Sequence, residues 1–390
     1  MSAYILNFHD TVLLATGFQS LLFILLILWV KHERHISDYF LIGFFVAQIA
    51  IPLHVLVNYN PELRALGLQI SPKLFHIFDI AYWIEGPLLL WYTRSMLRKN
   101  FTLRKKDVLY LLPTAIYFIY MSVAFYSLGA LDKAQFLAAE LNADAPSVRH
   151  GIEAVREGLR VFFGILCLVD IRRARNELRD RFSNIEKIDI GWLSILVIAF
   201  TAVRVWILIV VSVAIFAPYL GGSVFNYMGL AGNYLTFGLI TALMFLSLQR
   251  SSIFDGHMTE EAPAQGQDNQ SLDPALAKKI ENHMLHEKPY LLPLLNLEQL
   301  ASQLSMHPRA LSVAIKKHFK TNFYEFVNSY RINEAKLILS DPEQKHKTMI
   351  DISGECGFNS KATYNSFFKK LVGSTPTQYR SEQLSAQLKN

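Results

Sequence analysis

Seven runs of about 20 mostly apolar residues limit what this chain can fold into more than any other feature of it. They fall at about 11–30, 39–58, 74–95, 108–128, 152–171, 190–216 and 225–249. A helix needs about 20 apolar residues to cross the hydrocarbon core of a bilayer, so residues 1–250 are expected to form a seven-helix transmembrane bundle. From Ser251 onward the sequence is ordinary and charged. The apolar share of 52% and the mean hydropathy of +0.24 therefore average two unlike halves. No Lys or Arg precedes the first run and no small-residue cleavage pattern follows it, which points to a retained span and not a signal peptide.

Charge in the connecting segments tests the count. With the N-terminus outside, segments 31–38, 94–107 and 170–189 face the cytoplasm and carry fourteen Lys and Arg, against four in the opposite loops. That asymmetry places the C-terminus in the cytoplasm. The fifth run is the most interrupted, and it carries a polar stripe. Glu153, Arg156, Glu157 and Arg160 recur at i, i+3, i+4 and i+7 and share one helix face. Asp79 and Glu85 fall in the third span and Arg204 in the sixth. Charges at such depth are costly unless paired, and a carboxylate–guanidinium pairing across spans three, five and six is expected. Such a set either forms an outward-opening ligand pocket or serves as a structural ion-pair network; the pattern is compatible with both. No Lys stands in the last span for a retinal Schiff base, and no metal-ligand spacing or phosphate loop occurs. Two cysteines, Cys167 and Cys356, imply no disulfide framework. Neither a cofactor nor an enzymatic activity is expected.

Residues 251–271, rich in Gly, Pro, Gln, Asn, Ser and acids, read as a flexible linker. Residues 272–390 form the third region, with its core at 291–382. A helix from Leu272 to Lys288 leads in. Asn296 caps a helix with Leu297, Leu300, Ala301 and Leu304 at helical spacing. After a break at Ser305–Pro308, a second helix buries Leu311, Ile315 and Phe319 and turns out Arg309, Ser312, Val313, Lys316, Lys317 and Lys320. The plan then repeats. Ile350, Ile352 and Cys356 make an apolar face, Gly357 and Phe358 a turn, and Ser360 caps a helix with Tyr364, Phe367, Phe368 and Leu371 inward. Lys361, Ala362, Asn365, Ser366, Lys369 and Lys370 are left outward. Between the units a helix from Phe323 to Leu339 points Phe326, Val327, Tyr330, Ala335 and Leu339 to the core. Helix, short turn and basic-faced helix is how a recognition helix is offered to the major groove of DNA.

The segments GFNSKATYNSFFKKLVGSTPTQYR, SYRINEAKLIL and LASQLSMHPRALSVAIKKHFK resemble the AraC/XylS family of transcription regulators. The resemblance covers about 90 of the 390 residues. It implies a two-subdomain, all-helical reader of double-stranded DNA whose recognition helices, Pro308–His318 and Ser360–Lys370, enter adjacent major grooves. The DNA-contacting residues are then Arg309, Ser312, Val313, Lys316, Lys317, Lys361, Ala362, Asn365, Ser366 and Lys369. Val313 and Ser366 depart from the pattern, since both helices of the family commonly show an arginine there.

The expected whole is an all-α, multi-pass protein of a bacterial inner membrane, with a cytoplasmic reader and an unknown small ligand or membrane signal as its input. A homodimer is expected, because two tethered readers gain effective concentration on DNA. Two alternatives stand beside this signal transducer. One is a transporter or membrane enzyme with an autoregulatory DNA-binding domain; the other is a bundle that only anchors the reader.

Overall fold

Apolar runs of this length satisfy their backbone hydrogen bonds locally as helix, and the computed structural model is helical through nearly all its described residues, 6–30, 34–98, 101–141, 147–184, 191–216, 222–249 and 274–387. The proposed linker, 251–271, lies outside them. The chain divides into two compact units, Met1–Arg172 with Ile190–Ala262 and Arg173–Asp189 with Pro263–Asn390.

The first unit contains α1 (Phe8–Val30), α2 (Ile36–Tyr59), α3 (Pro61–Ile70), α4 (Ile80–Leu97), α5 (Leu112–Met121), α6 (Ala130–Leu141), most of α7 (Ser147–Arg181), α8 (Gly191–Phe216) and α9 (Gly222–Gln249). Five stretches among the described residues are long and apolar enough to cross a membrane: Phe8–Trp29, Ile36–Tyr59, Lys105–Tyr126, Gly191–Ile215 and Tyr227–Phe245. Five of the seven expected spans thus have that character. The third is shorter than its apolar run, because residues 72–79 are turns and the helix starts at Ile80. The fourth is composite: a 3-10 turn over Lys105–Leu111, α5, and a π turn over Ser122–Tyr126. Pro113 sits in the first turn of α5, where its missing N–H costs nothing. Two glycines bring the charged helix close to its neighbours. A Cβ on Gly86 would lie 2.5 Å from Phe163, and one on Gly164 would overlap Thr201, so these two positions leave room only for glycine where α7 meets α4 and α8.

The second unit holds the end of α7 from Arg173, then α10 (Pro274–His286), α11 (Leu297–Gln303), α12 (Pro308–His318), α13 (Phe323–Ser340), α14 (Met349–Glu355), α15 (Lys361–Val372) and α16 (Pro376–Gln387). It has two cores joined by α13. Phe323, Phe326 and Val327 of α13 enter the first with Leu300, Leu311 and Ile315. Tyr324, Ile332, Ala335 and Leu339 enter the second with Ile352, Phe358, Tyr364 and Phe368. Ile350 and Leu371 were expected inside and are 62% and 50% exposed. Cys356 is fully buried, and burial pushes its thiol up to about 12.

Where the cores meet, Arg331 is 1% exposed and, among the described residues, no carboxylate pairs with it. Its Nε donates to Tyr290 O at 2.7 Å, and its Nη2 donates to Leu292 O at 2.8 Å. Its Nη1 donates to Asn328 Oδ1 at 3.1 Å and Ser183 O at 3.4 Å. Burial lowers its pKa to about 10, so it stays charged at neutral pH. Gly357 seals the same junction. It has φ +83°, and a Cβ there would stand 2.6 Å from Tyr290 O.

Arg331→Met is expected to cost the second unit about 3–5 kcal/mol, since several buried carbonyls lose a charged donor together. Pulse proteolysis of the full chain across a urea series measures it. An unchanged midpoint would show that the junction carries little stability.

Candidate nucleic-acid interface and buried charge cluster

The helices α12 and α15 are each set by their own local signals. Asn296 and Gln299 form a capping box that starts α11, and Ser305, at φ 52°, turns the chain into α12. Pro308 occupies the first turn of α12, with His307 accepting from Arg309 N. Leu311, Ala314 and Ile315 fix the buried face, leaving Arg309, Lys316 and Lys317 exposed and Ser312 and Val313 half-buried. In the second half, Thr348 and Asp351 box the start of α14, and Ser360 accepts from Thr363 N to start α15. Gly373, left-handed at φ 88°, ends α15. Tyr364, Phe367 and Phe368 face inward; Lys361, Ala362, Ser366 and Lys369 are exposed, and Asn365 is half-buried. Lys361, Asn365, Ser366 and Lys369 line a cleft of about 500 Å³ with Thr375 and Thr377.

Two of the outward lysines are already engaged. Lys370 lies 2.8 Å from Glu325 Oε1, a bond that holds the Glu325 carboxyl below its usual range. Lys316 Nζ donates to Asp180 Oδ2 at 2.5 Å. Asp180 belongs to a segment that the sequence pattern assigned only to a basic loop. Nothing in that pattern marked Arg331, Asn328 or Ser183 as buried polar residues of this unit.

In the first unit the structure gathers Glu85, Glu157, Arg160 and Arg204, each no more than 3% exposed. Arg160 Nε donates to Glu85 Oε2 at 2.6 Å, and its Nη2 reaches the same oxygen. Arg160 Nη1 donates to both Glu157 oxygens, at 2.8 and 3.0 Å. Glu85 Oε1 accepts from Gln48 Nε2 and, at 3.4 Å, from Arg204 Nη2. Arg156 joins at the edge, donating to Glu157 Oε1 at 3.2 Å with its guanidinium 4.0 Å over the Tyr82 ring. Glu153, one turn earlier on α7, is half-buried. The pairing expected across α4, α7 and α8 is thus present for Glu85.

Asp79 does not join that cluster. Its carboxylate lies 2.7 Å from His54 Nδ1 and 2.8 Å from His76 Nδ1, and accepts from Tyr117 at 2.7 Å. The two histidines and Gln48 were missed in the sequence. Each is a polar residue inside an apolar run, the signal that found the charges. Among the described residues, no group of three or more His, Cys, Asp or Glu could hold a metal.

Residues 300–382 match the family model described as a helix-turn-helix domain. An uncharacterized HTH-type transcriptional regulator of Bacillus subtilis, YtdP, is 34% identical over 91 residues, 23% of this chain and 11% of that protein. One of Staphylococcus aureus strain COL is 32% identical over 89 residues, 23% of this chain and 12% of its own length. The melibiose operon regulatory protein of Escherichia coli is 27% identical over 86 residues, 22% of this chain and 28% of that one. The chain therefore spans only about a tenth of the length of the first two relatives and under a third of the last. No solved structure matches it.

Glu85→Ala strands Arg160 and Arg204 without their shared carboxylate, a loss of about 3–5 kcal/mol. The amount of folded chain is expected to fall several-fold, with Glu85→Gln intermediate. Normal abundance of Glu85→Ala would mean that the cluster is not needed for folding.

Proposed function

We propose that this chain, whose C-terminal segment belongs to the AraC-type helix-turn-helix regulators, is a membrane-bound one-component transcription regulator. One observation carries the reading: five helices long and apolar enough to cross a membrane stand in the same chain as two helix-turn-helix units with basic outer faces. On this reading α4 and the apolar part of α7 are spans as well, which makes seven and leaves the reader in the cytoplasm of a bacterial cell. At about 1.5 Å per residue the 18 residues of α4 cover about 27 Å, close to the thickness of a hydrocarbon core. The chain has no catalytic role in this account. Its input is a small ligand or a membrane signal, its output is DNA occupancy, and two copies act together on one site.

DNA recognition divides the outward residues by role. Arg309 and Asn365 are assigned to base edges and Lys369 to phosphate. Arg309→Ala or Asn365→Ala is expected to change sequence preference by about 1–3 kcal/mol. Lys369→Ala weakens all sequences alike and flattens the salt slope by about one unit. Selection of bound duplexes from a random pool, using the full chain in nanodiscs, reads both, and the stoichiometry reads the dimer. Identical selected sequences for wild type and all three variants would overturn the assignment.

The buried charges are the proposed sensor. Three arginines, Arg156, Arg160 and Arg204, meet two carboxylates, Glu85 and Glu157, at bonding distance, so each carboxylate is shared by two guanidinium groups. Arg156 is the gentlest probe, because it stands at the edge of the cluster, where 15% of its side chain is exposed. Arg156→Gln is expected to keep membrane abundance within about twofold of wild type while a reporter on the regulated promoter no longer responds to its stimulus. Equal falls in abundance and output would remove the sensing role.

A further inference from the structure

The last turns of α7 and the residues that follow, Arg173 to Asn184, fold as part of the DNA-reading unit. Ala174 and Leu178 are buried one helical turn apart. Past the helix end, Phe182 pairs with Asn296 in an isolated antiparallel bridge at the cap of α11. Ser183, 1% exposed, donates from its backbone N to Leu295 O at 3.2 Å and from its hydroxyl to the same oxygen at 2.5 Å. Its carbonyl accepts from Asn328 Nδ2 at 3.2 Å and from Arg331 Nη1 at 3.4 Å. Its hydroxyl accepts from Arg331 Nη2 at 3.3 Å. These bonds are out of water, and each would leave a buried polar atom behind if broken.

Three residues before this clasp stands Asp180, on Lys316 of α12. That pair is exposed, at 52% for Lys316 and 27% for Asp180, and an isolated surface pair contributes little. Here the clasp keeps the carboxylate at high local concentration, so the pair re-forms without a search. A carboxylate held on the outer face of a recognition helix also sits where a phosphate would arrive. We propose that residues 173–184 are a built-in strap of the reader: the Ser183 clasp anchors it, and the Asp180 carboxylate occupies Lys316 in place of a DNA phosphate. Binding DNA then exchanges one anion for another on Lys316, and whatever shifts the strap sets how readily that exchange occurs. The inference rests on the reading of α12 as DNA-facing.

The test uses the full chain in nanodiscs and a fluorescent duplex of mixed sequence, titrated across a salt series. Asp180→Asn is expected to tighten binding about three- to tenfold at low salt. Glu177→Gln, which removes the same charge from an exposed position on the same helix, is expected to stay within about twofold. In a Lys316→Ala background the gain from Asp180→Asn should vanish, because the group it releases is gone. Equal tightening by Glu177→Gln, no tightening by Asp180→Asn, or a gain that survives Lys316→Ala would each overturn the strap while wild-type binding leaves the DNA reading intact. A wild-type chain that binds no duplex would remove the DNA reading and the strap together.

Discussion

A guanidinium buried without a carboxylate holds the reader together. Arg331 is taken out of water at a cost that only several well-placed acceptors can offset. Three of the acceptors are backbone carbonyls from separate parts of the chain, Tyr290 and Leu292 ahead of α11 and Ser183 past the end of α7, joined by the Asn328 Oδ1 and Ser183 hydroxyl side chains. Carbonyls cannot rotate to suit a partner as side chains do, so each must be delivered by the fold of its own segment. The two helix-turn-helix halves meet at this point. The left-handed Gly357 lets the turn before α15 lie against the Tyr290 carbonyl, which also accepts from Arg331, and Phe358 places its ring 5.6 Å from the guanidinium carbon. The spacing of the recognition helices therefore depends on α13 and on what Arg331 can reach.

The first unit solves a similar problem with opposite means. Its buried arginines have carboxylate partners on neighbouring helices, and small residues bring those helices within reach. Gly86 admits Phe163 and Gly164 admits Thr201, which sets α7 against α4 and α8 at the depth of Glu85, Arg160 and Arg204. Side-chain length then does the rest. Glu85 is shared by Arg160 and Arg204, and Glu157 by Arg156 and Arg160, so the three guanidinium groups are linked through two carboxylates.

Much of the candidate DNA interface was legible because it is local. Caps at Asn296 and Ser360, the break at Ser305–Pro308 and the Gly-Phe turn each act within a few residues. Apolar spacing then assigns the inner face of α12 and α15 with few errors. The errors, Ile350 and Leu371, lie at helix ends, where periodicity no longer says which side is covered. The charges within the apolar runs were legible for another reason, since an ionisable residue in such a run is conspicuous. Their partition was not. Asp79 goes with His54, His76 and Tyr117, and Glu85 with the arginines, because helix rotation and packing decide which polar groups meet.

The sequence by itself determined the helical class, most of the apolar spans, the two helix-turn-helix units and their basic faces. Each of these follows from hydrophobic periodicity, capping chemistry or length, which are short-range properties of the chain. Tertiary structure alone decided that Arg331 is buried, that Ser183 satisfies it, and that Asp180 sits on Lys316. Those contacts join residues more than a hundred positions apart, and no local pattern encodes which donor will find which acceptor once the helices pack.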